Sequence, residues 1–110
     1  MFDSELKRGS LDLLILSILQ GQPKHGYEIG KLLSSRSEGK LEFPVSTLYS
    51  ILYRMEKRGW IDGRWVEKVG VRRRCYYTLT DPGKTVLEAK QKQWRDYTAV
   101  VNKVIEVDHA

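Results

Sequence analysis

Apolar residues recur along this chain at two different periods, and the period changes twice. Leu11, Leu14, Ile15, Ile18 and Leu19 are spaced three and four apart, as on one face of a helix, and Gly21 and Pro23 stop the pattern. Tyr27, Ile29, Leu32 and Leu33 repeat the spacing and predict a second helix from about His25 to Arg36. Ser34, Ser35, Ser37 and Gly39 then mark a loop. A third apolar stripe, Leu48, Ile51, Leu52 and Met55, follows Pro44, with Val45 or Ser46 as the cap candidate and Gly59 as the expected terminator. Beyond Gly59 the period shortens towards two. Trp60 to Val66 reads as a strand, Cys75 to Leu79 as its partner, and Glu67 to Arg74 as the connection. The helical period returns after Thr80 or Asp81, with Pro82 in its permitted first-turn position, and runs for about 25 residues.

Three helices, a β-hairpin and one long helix predict a mainly α fold with a β-hairpin (α+β). This is a winged helix-turn-helix over residues 1–80 followed by a C-terminal dimerisation helix over residues 81–110. The chain has 110 residues, enough for one modest core, and its 41% hydrophobic and 30% charged residues are those of a globular protein. Cys75 is the only cysteine, so no internal disulfide forms and a reducing cytoplasm is the expected setting. The Leu11–Leu19 run is interrupted by Asp12 and Ser17 and is too short to span a bilayer, so no membrane partner is expected.

Polar positions carry the functional reading. Opposite the apolar stripe of the third helix lie Ser46, Thr47, Tyr49, Ser50 and Tyr53, where an ordinary exposed face would carry Glu and Lys. Short hydroxyls near the start of a second helix-turn-helix helix suit base edges and phosphates in the major groove of double-stranded DNA. The competing reading is that Tyr49 and Tyr53 extend the core. Arg72, Arg73 and Arg74 follow one another just before the second strand. Three adjacent cations repel, and an anion lying between them relieves that repulsion, so a wing directed at the DNA backbone or minor groove is expected. One arginine is expected to pair with Glu67. The charge distribution agrees: the net charge is +5, and residues 1–80 hold fourteen basic against nine acidic side chains, so the excess lies entirely there.

The last helix reads differently. Leu87, Lys90, Trp94, Tyr97, Val101 and Val104 recur at three and four, a heptad-like seam that a domain of this size cannot cover along its whole length. A second copy of the chain is the simplest partner, giving a C2 homodimer, with Leu11 and Ile15 of the first helix as the other half of the interface. Trp94 is either an interface anchor or the stacking wall of a pocket for a small aromatic effector.

Enzymatic readings find little support. His25, His109 and Cys75 have no metal-ligand spacing, and no phosphate-binding glycine loop or nucleophile elbow occurs, so no cofactor is expected. Cys75, close to three arginines, is either a lowered-pKa thiol or a structural cysteine.

Several motifs together are similar to those of a known family. They are Gly9-x-Leu11-Asp12-Leu13-Leu14-Ile15-Leu16, Pro23-x-His25-Gly26-Tyr27-Glu28-Ile29, and Ser46-Thr47-Leu48-Tyr49. Leu52-x-Arg54-Met55-Glu56-x-x-Gly59-Trp60-Ile61 and Arg72-Arg73-x-x-Tyr76-Tyr77-x-Leu79-Thr80-x-x-Gly83 continue the series. In this order, and over nearly the whole chain, they resemble the PadR family of bacterial transcriptional regulators, in its short form with a single final helix. The resemblance implies DNA contacts by Ser46, Thr47 and Tyr49. It also implies a phosphate approach by His25 and Tyr27 at the preceding helix and a wing of Arg72 and Arg73, and the adjacent Lys24 is a further DNA-binding candidate. It matches Trp94 to a tryptophan that stacks aromatic drugs in some members. Ser50 departs from the family's usual proline. The expectation is a homodimeric, DNA-binding repressor released by a small aromatic effector. A winged-helix RNA-binding module and a protein-interaction module are the alternatives.

Overall fold

The computed structural model describes residues 2–68 and 70–106; His109 and the rest of 107–110 lie outside them. The element order is α1 (Ser4–Ile18), β1 (Lys24–His25), α2 (Gly26–Arg36), α3 (Val45–Lys57), β2 (Ile61–Lys68), β3 (Val71–Leu79) and α4 (Asp81–Ile105). Four helices and a three-stranded antiparallel sheet, ordered β1-β3-β2, form the winged helix-turn-helix with its long C-terminal helix.

Helix ends depart from the apolar pattern where capping chemistry decides. α1 begins a full two turns before Leu11 because the Asp3 side chain accepts from the Leu6 N–H at 2.9 Å. Its first turns are polar, so a search for an apolar stripe passes over them. α2 opens on a reciprocal cap: His25 Nδ1 accepts from the Glu28 N–H at 3.2 Å, and Glu28 Oε1 accepts from the His25 N–H at 3.3 Å. For α3 the expected caps are corrected. Neither Val45 nor Ser46 caps it; Pro44 is the N-cap, and its carbonyl accepts from the N–H groups of Thr47 and Leu48 at 3.0 and 3.2 Å. The helix ends as expected at Gly59, whose φ of 78° lets its own N–H reach the Glu56 carbonyl while the Trp60 N–H reaches that of Met55.

The sheet corrects the placement of the arginines. Arg72, Arg73 and Arg74 belong to β3 itself, which begins at Val71, paired with Lys68. Pairings Ile61↔Leu79, Gly63↔Tyr77 and Trp65↔Cys75 set the register, which shifts between Val66 and Lys68. Side chains alternate across a strand, so Arg73, Cys75 and Tyr77 share one face with Trp65, while Arg72, Arg74 and Tyr76 take the other. β1 adds Lys24↔Tyr77 and His25↔Tyr76 at the open edge of β3; two residues are too few to show a period.

One core joins all layers: Leu11, Ile15, Leu16, Ile18 and Leu19 of α1, Ile29 and Leu33 of α2, Leu48, Leu52 and Met55 of α3, Ile61 and Tyr77 of the sheet, and Leu87 of α4. This corrects three expected interface residues. Leu11, Ile15 and Leu87 are buried inside the single chain, because the strongest apolar face of α1 closes the chain's own core. Thr80 caps α4, accepting from the Gly83 N–H at 3.0 Å. Gly83 packs so closely on the Trp60 carbonyl that a Cβ there would collide with it. From that anchor α4 runs 25 residues, and the molecule measures 65 × 30 × 21 Å.

Candidate nucleic-acid interface

α3 is held from two sides. The Arg54 guanidinium meets the Asp12 carboxylate in a two-pronged ion pair at 2.6 and 3.0 Å, fixing α3 to α1, and the same hydrogen bonding raises the Arg54 pKa. Glu56 Oε2 accepts from the Gly63 N–H at 3.1 Å, fixing α3 to β2. Tyr49 lies against Gly26, where a Cβ would come within 2.6 Å of the ring and would have to push the tyrosine aside. None of these ties is visible as a spacing in the sequence.

With α3 so held, Ser46, Tyr49, Ser50 and Tyr53 face outward and Thr47 is half-buried. Tyr53 is 62% exposed, so it does not extend the core; Lys57 lies over its ring at 5.0 Å. Tyr27, at the start of α2, is equally open, with Lys31 over its ring at 5.8 Å. Lys24 is half-buried and donates to the Gln22 carbonyl at 3.3 Å.

His25 stands apart from this exposed group. It is 8% exposed, wedged edge-on to Tyr76 with ring centroids 5.3 Å apart, and occupied with capping α2. Burial lowers its pKa; Glu28 opposes that shift and Arg74 adds to it. Arg74 NH1 lies 2.8 Å from its Nε2, and Glu28 Oε1 3.4 Å from the same nitrogen.

Each wing arginine has a different setting. Arg73 pairs with Glu67 at 3.5 Å and lies over the Trp65 ring, 4.8 Å from its centroid. Arg74 leans on His25, and Arg72 is exposed. Cys75 does not have an activated thiol. Burial pushes its pKa up, and the lowering by Tyr77 and Arg73 does not overcome this. Burial likewise lifts the Tyr77 hydroxyl above its ordinary range.

The wing and the start of α2 and α3 enclose an open cleft of about 930 Å³. Tyr27, Lys31 and Tyr49 line it from the helices, and Trp65 with Arg72, Arg73 and Arg74 from the wing. Ser46, Thr47, Ser50 and Tyr53 lie outside it along α3. Lys31 and Trp65 were absent from the sequence reading of the site. Trp65 read only as one position of a strand, and its diagonal relation to Arg73 needs the register.

A second concavity, about 340 Å³, lies between α1 and α4, lined among others by Leu6, Leu13, Lys90, Trp94 and Tyr97. Here α1 contributes Leu6 and Leu13, not Leu11 and Ile15. Trp94 is 44% exposed, Tyr97, Val100, Val104 and Ile105 are exposed, and Val101 is half-buried.

The sequence pattern of the Transcriptional regulator PadR-like family matches residues 15–89, which carry α2, α3, the wing and the anchored end of α4. The chain belongs to that family. This PadR-like chain has the fold of solved regulators. A transcriptional regulator from Clostridium thermocellum superposes with a TM-score of 0.87 at 32% identity, over 96% of this chain and 100% of that one. A PadR family transcriptional regulator from Eggerthella lenta gives 0.84 at 34%, over 94% and 88%. An uncharacterized protein of Lysinibacillus sphaericus is 29% identical over 106 residues, 96% of this chain and 97% of its own length. Membership makes this PadR-like protein a transcriptional regulator, in a family of DNA-binding regulators. Among its described residues no helix is long and apolar enough to cross a membrane.

Proposed function

We propose that this regulator is a cytoplasmic, homodimeric repressor that grips an operator with α3 and the wing and releases it when a flat aromatic effector binds beside Trp94. The observation that carries the reading is the cleft that Tyr49 of α3 and Tyr27 and Lys31 of α2 share with all three wing arginines, next to the exposed hydroxyls of α3. Ser46, Thr47, Tyr49, Ser50 and Tyr53 meet base edges and phosphates, Lys24 and Tyr27 approach the backbone from the preceding helix, and Arg72, Arg73 and Arg74 hold the flanking backbone. His25 acts behind them, through the α2 cap and Arg74. Residues 1–80 form the DNA-binding part and residues 81–110 the dimerisation helix.

The first turn of α3 holds no Arg or Asn, so bidentate base contacts are few and DNA shape and water carry much of the specificity. Trp94, Tyr97, Val101 and Val104 pair the two copies, and the α1–α4 groove beside Trp94 is the effector site. An effector that prefers one separation of the paired helices lowers DNA affinity by that preference.

Fluorescence anisotropy on duplex DNA from upstream of the protein's own gene, at physiological salt with excess nonspecific competitor, tests this. Competitor-resistant binding with two chains per site is expected, together with a weaker, less salt-dependent complex for Arg72→Ala. Binding that any DNA or structured RNA abolishes overturns it. In whatever Trp94→Ala complex with DNA remains, the response to aromatic effectors is expected to be lost.

A further inference from the structure

Trp65 is a large aromatic residue, 59% exposed, on a hairpin that carries three arginines. It is neither part of the buried core nor among the hydrophobic residues packed against it. What it touches is charge. The Arg73 guanidinium carbon stands 4.8 Å from its ring centroid, and Arg73 Nε is 3.5 Å from Glu67 Oε1. Trp65 is directly opposite Cys75, so Arg73 is its diagonal neighbour on the same face, within reach of a long side chain. That face turns into the cleft that Tyr27, Lys31 and Tyr49 close from the helix side.

A free arginine on a hairpin loses side-chain entropy when it meets a phosphate. An indole beneath it removes much of that freedom beforehand, and the planar guanidinium keeps its edge N–H groups open while its face is stacked. Glu67 has a different effect. Its carboxylate occupies the position an incoming phosphate would take, on a pair exposed at both ends, with side-chain exposures of 59% and 76%, and such pairs contribute little stability. Releasing it is therefore easy.

From this geometry we infer that Trp65 is a positioning residue for DNA binding: it holds the Arg73 guanidinium flat and aimed into the cleft, with Glu67 occupying it until a backbone phosphate replaces the carboxylate. The inference rests on the DNA-binding reading above. Trp65 acts through Arg73, so the two residues behave as one unit.

The test is a double-mutant cycle of Trp65→Leu and Arg73→Ala on the operator fragment, with log affinity measured against log salt. Leucine keeps an apolar side chain on the strand and removes only the π face; equal thermal midpoints for parent and variants show that the hairpin is intact. Arg73→Ala is expected to lower the salt slope by about one. Trp65→Leu alone is expected to weaken binding about threefold. The double variant is expected to bind no worse than Arg73→Ala, while Trp65→Phe retains most of the parent affinity. Glu67→Gln is expected to tighten binding in the parent but not in the Arg73→Ala background. Additive losses in the cycle, or equal gains from Glu67→Gln in both backgrounds, overturn the inference while leaving DNA binding standing. Failure of the parent itself to bind with competitor resistance counts against the DNA-binding reading instead.

Discussion

A neutral imidazole has one donor nitrogen and one acceptor nitrogen, and His25 uses its acceptor on the α2 cap. Nδ1 receives the Glu28 N–H, so the proton belongs on Nε2, 3.4 Å from Glu28 Oε1 and 2.8 Å from Arg74 NH1. In that tautomer Nε2 and Arg74 NH1 are both donors, so their approach is an unfavourable contact, and turning Arg74 towards an anion relieves it. Protonation would remove the cap and set two cations against each other. The pKa of His25 is lowered from 6.5, so the unfolded chain binds this proton more readily than the native one. Stability from this group is complete above about pH 6.5 and declines as pH falls from there towards the folded value. Urea midpoints at pH 7.5 and 5.5 should therefore differ more in the parent than in His25→Asn, which keeps a capping side chain and cannot titrate. An equal drop in both would show that His25 contributes nothing to the acid response.

Elements join here through backbone, which sets how α4 leaves the body. Thr80 donates to the Gly59 carbonyl at 2.5 Å and accepts from Gly83, so the end of α3 and the start of α4 share one side chain. Gly83 then rests on the Trp60 carbonyl, a group that cannot rotate away. Gly83→Ala should consequently cost about 3 kcal/mol, the upper range for overpacking, and lower the thermal midpoint by about 10–20 °C. A midpoint within a few degrees of the parent would mean that α4 re-docks freely. The strength of sequence signals at this scale depended on locality. Runs with a clear period and a local cap, such as α2 and α4 with Thr80 and Pro82, were legible, as were the hairpin and its pairing. The Arg54–Asp12 pair was not, because its partners lie 42 positions apart. Nor was the burial of Leu11, Ile15 and Leu87, since an apolar face looks the same whether it covers its own core or a partner. For the site, residue types on α3 and the wing could be read, but Trp65 and Lys31 needed the register and the helix packing to become part of it.

At the scale of the whole molecule, the extended shape is the consequence of one helix. A chain of this length folded compactly would have a radius of gyration of about 13 Å, whereas this one has 16.2 Å. The difference lies in α4, whose far half exposes Tyr97, Val100, Val104 and Ile105. In the homodimer proposed above, Val104→Glu, at a position 78% exposed in the single chain, should leave the fold intact and shift sedimentation velocity from dimer to monomer. Operator affinity should fall about 100-fold or more with it, because two half-sites no longer bind as one. A variant that still sediments as a dimer would place the interface elsewhere.

α4 is also long enough to convert rotation into distance. A helix of 25 residues is about 37 Å from end to end at 1.5 Å per residue. Tilting such a beam by about 5° at one end carries the other through about 3 Å, close to the 3.4 Å step between neighbouring bases on one strand. In the effector-released dimer proposed above, a small molecule wedged at the crossing of two such beams need not touch the reading heads at all. It would mistune the span between them by about one letter of the DNA, and a slight angular change would suffice to make the address unreadable.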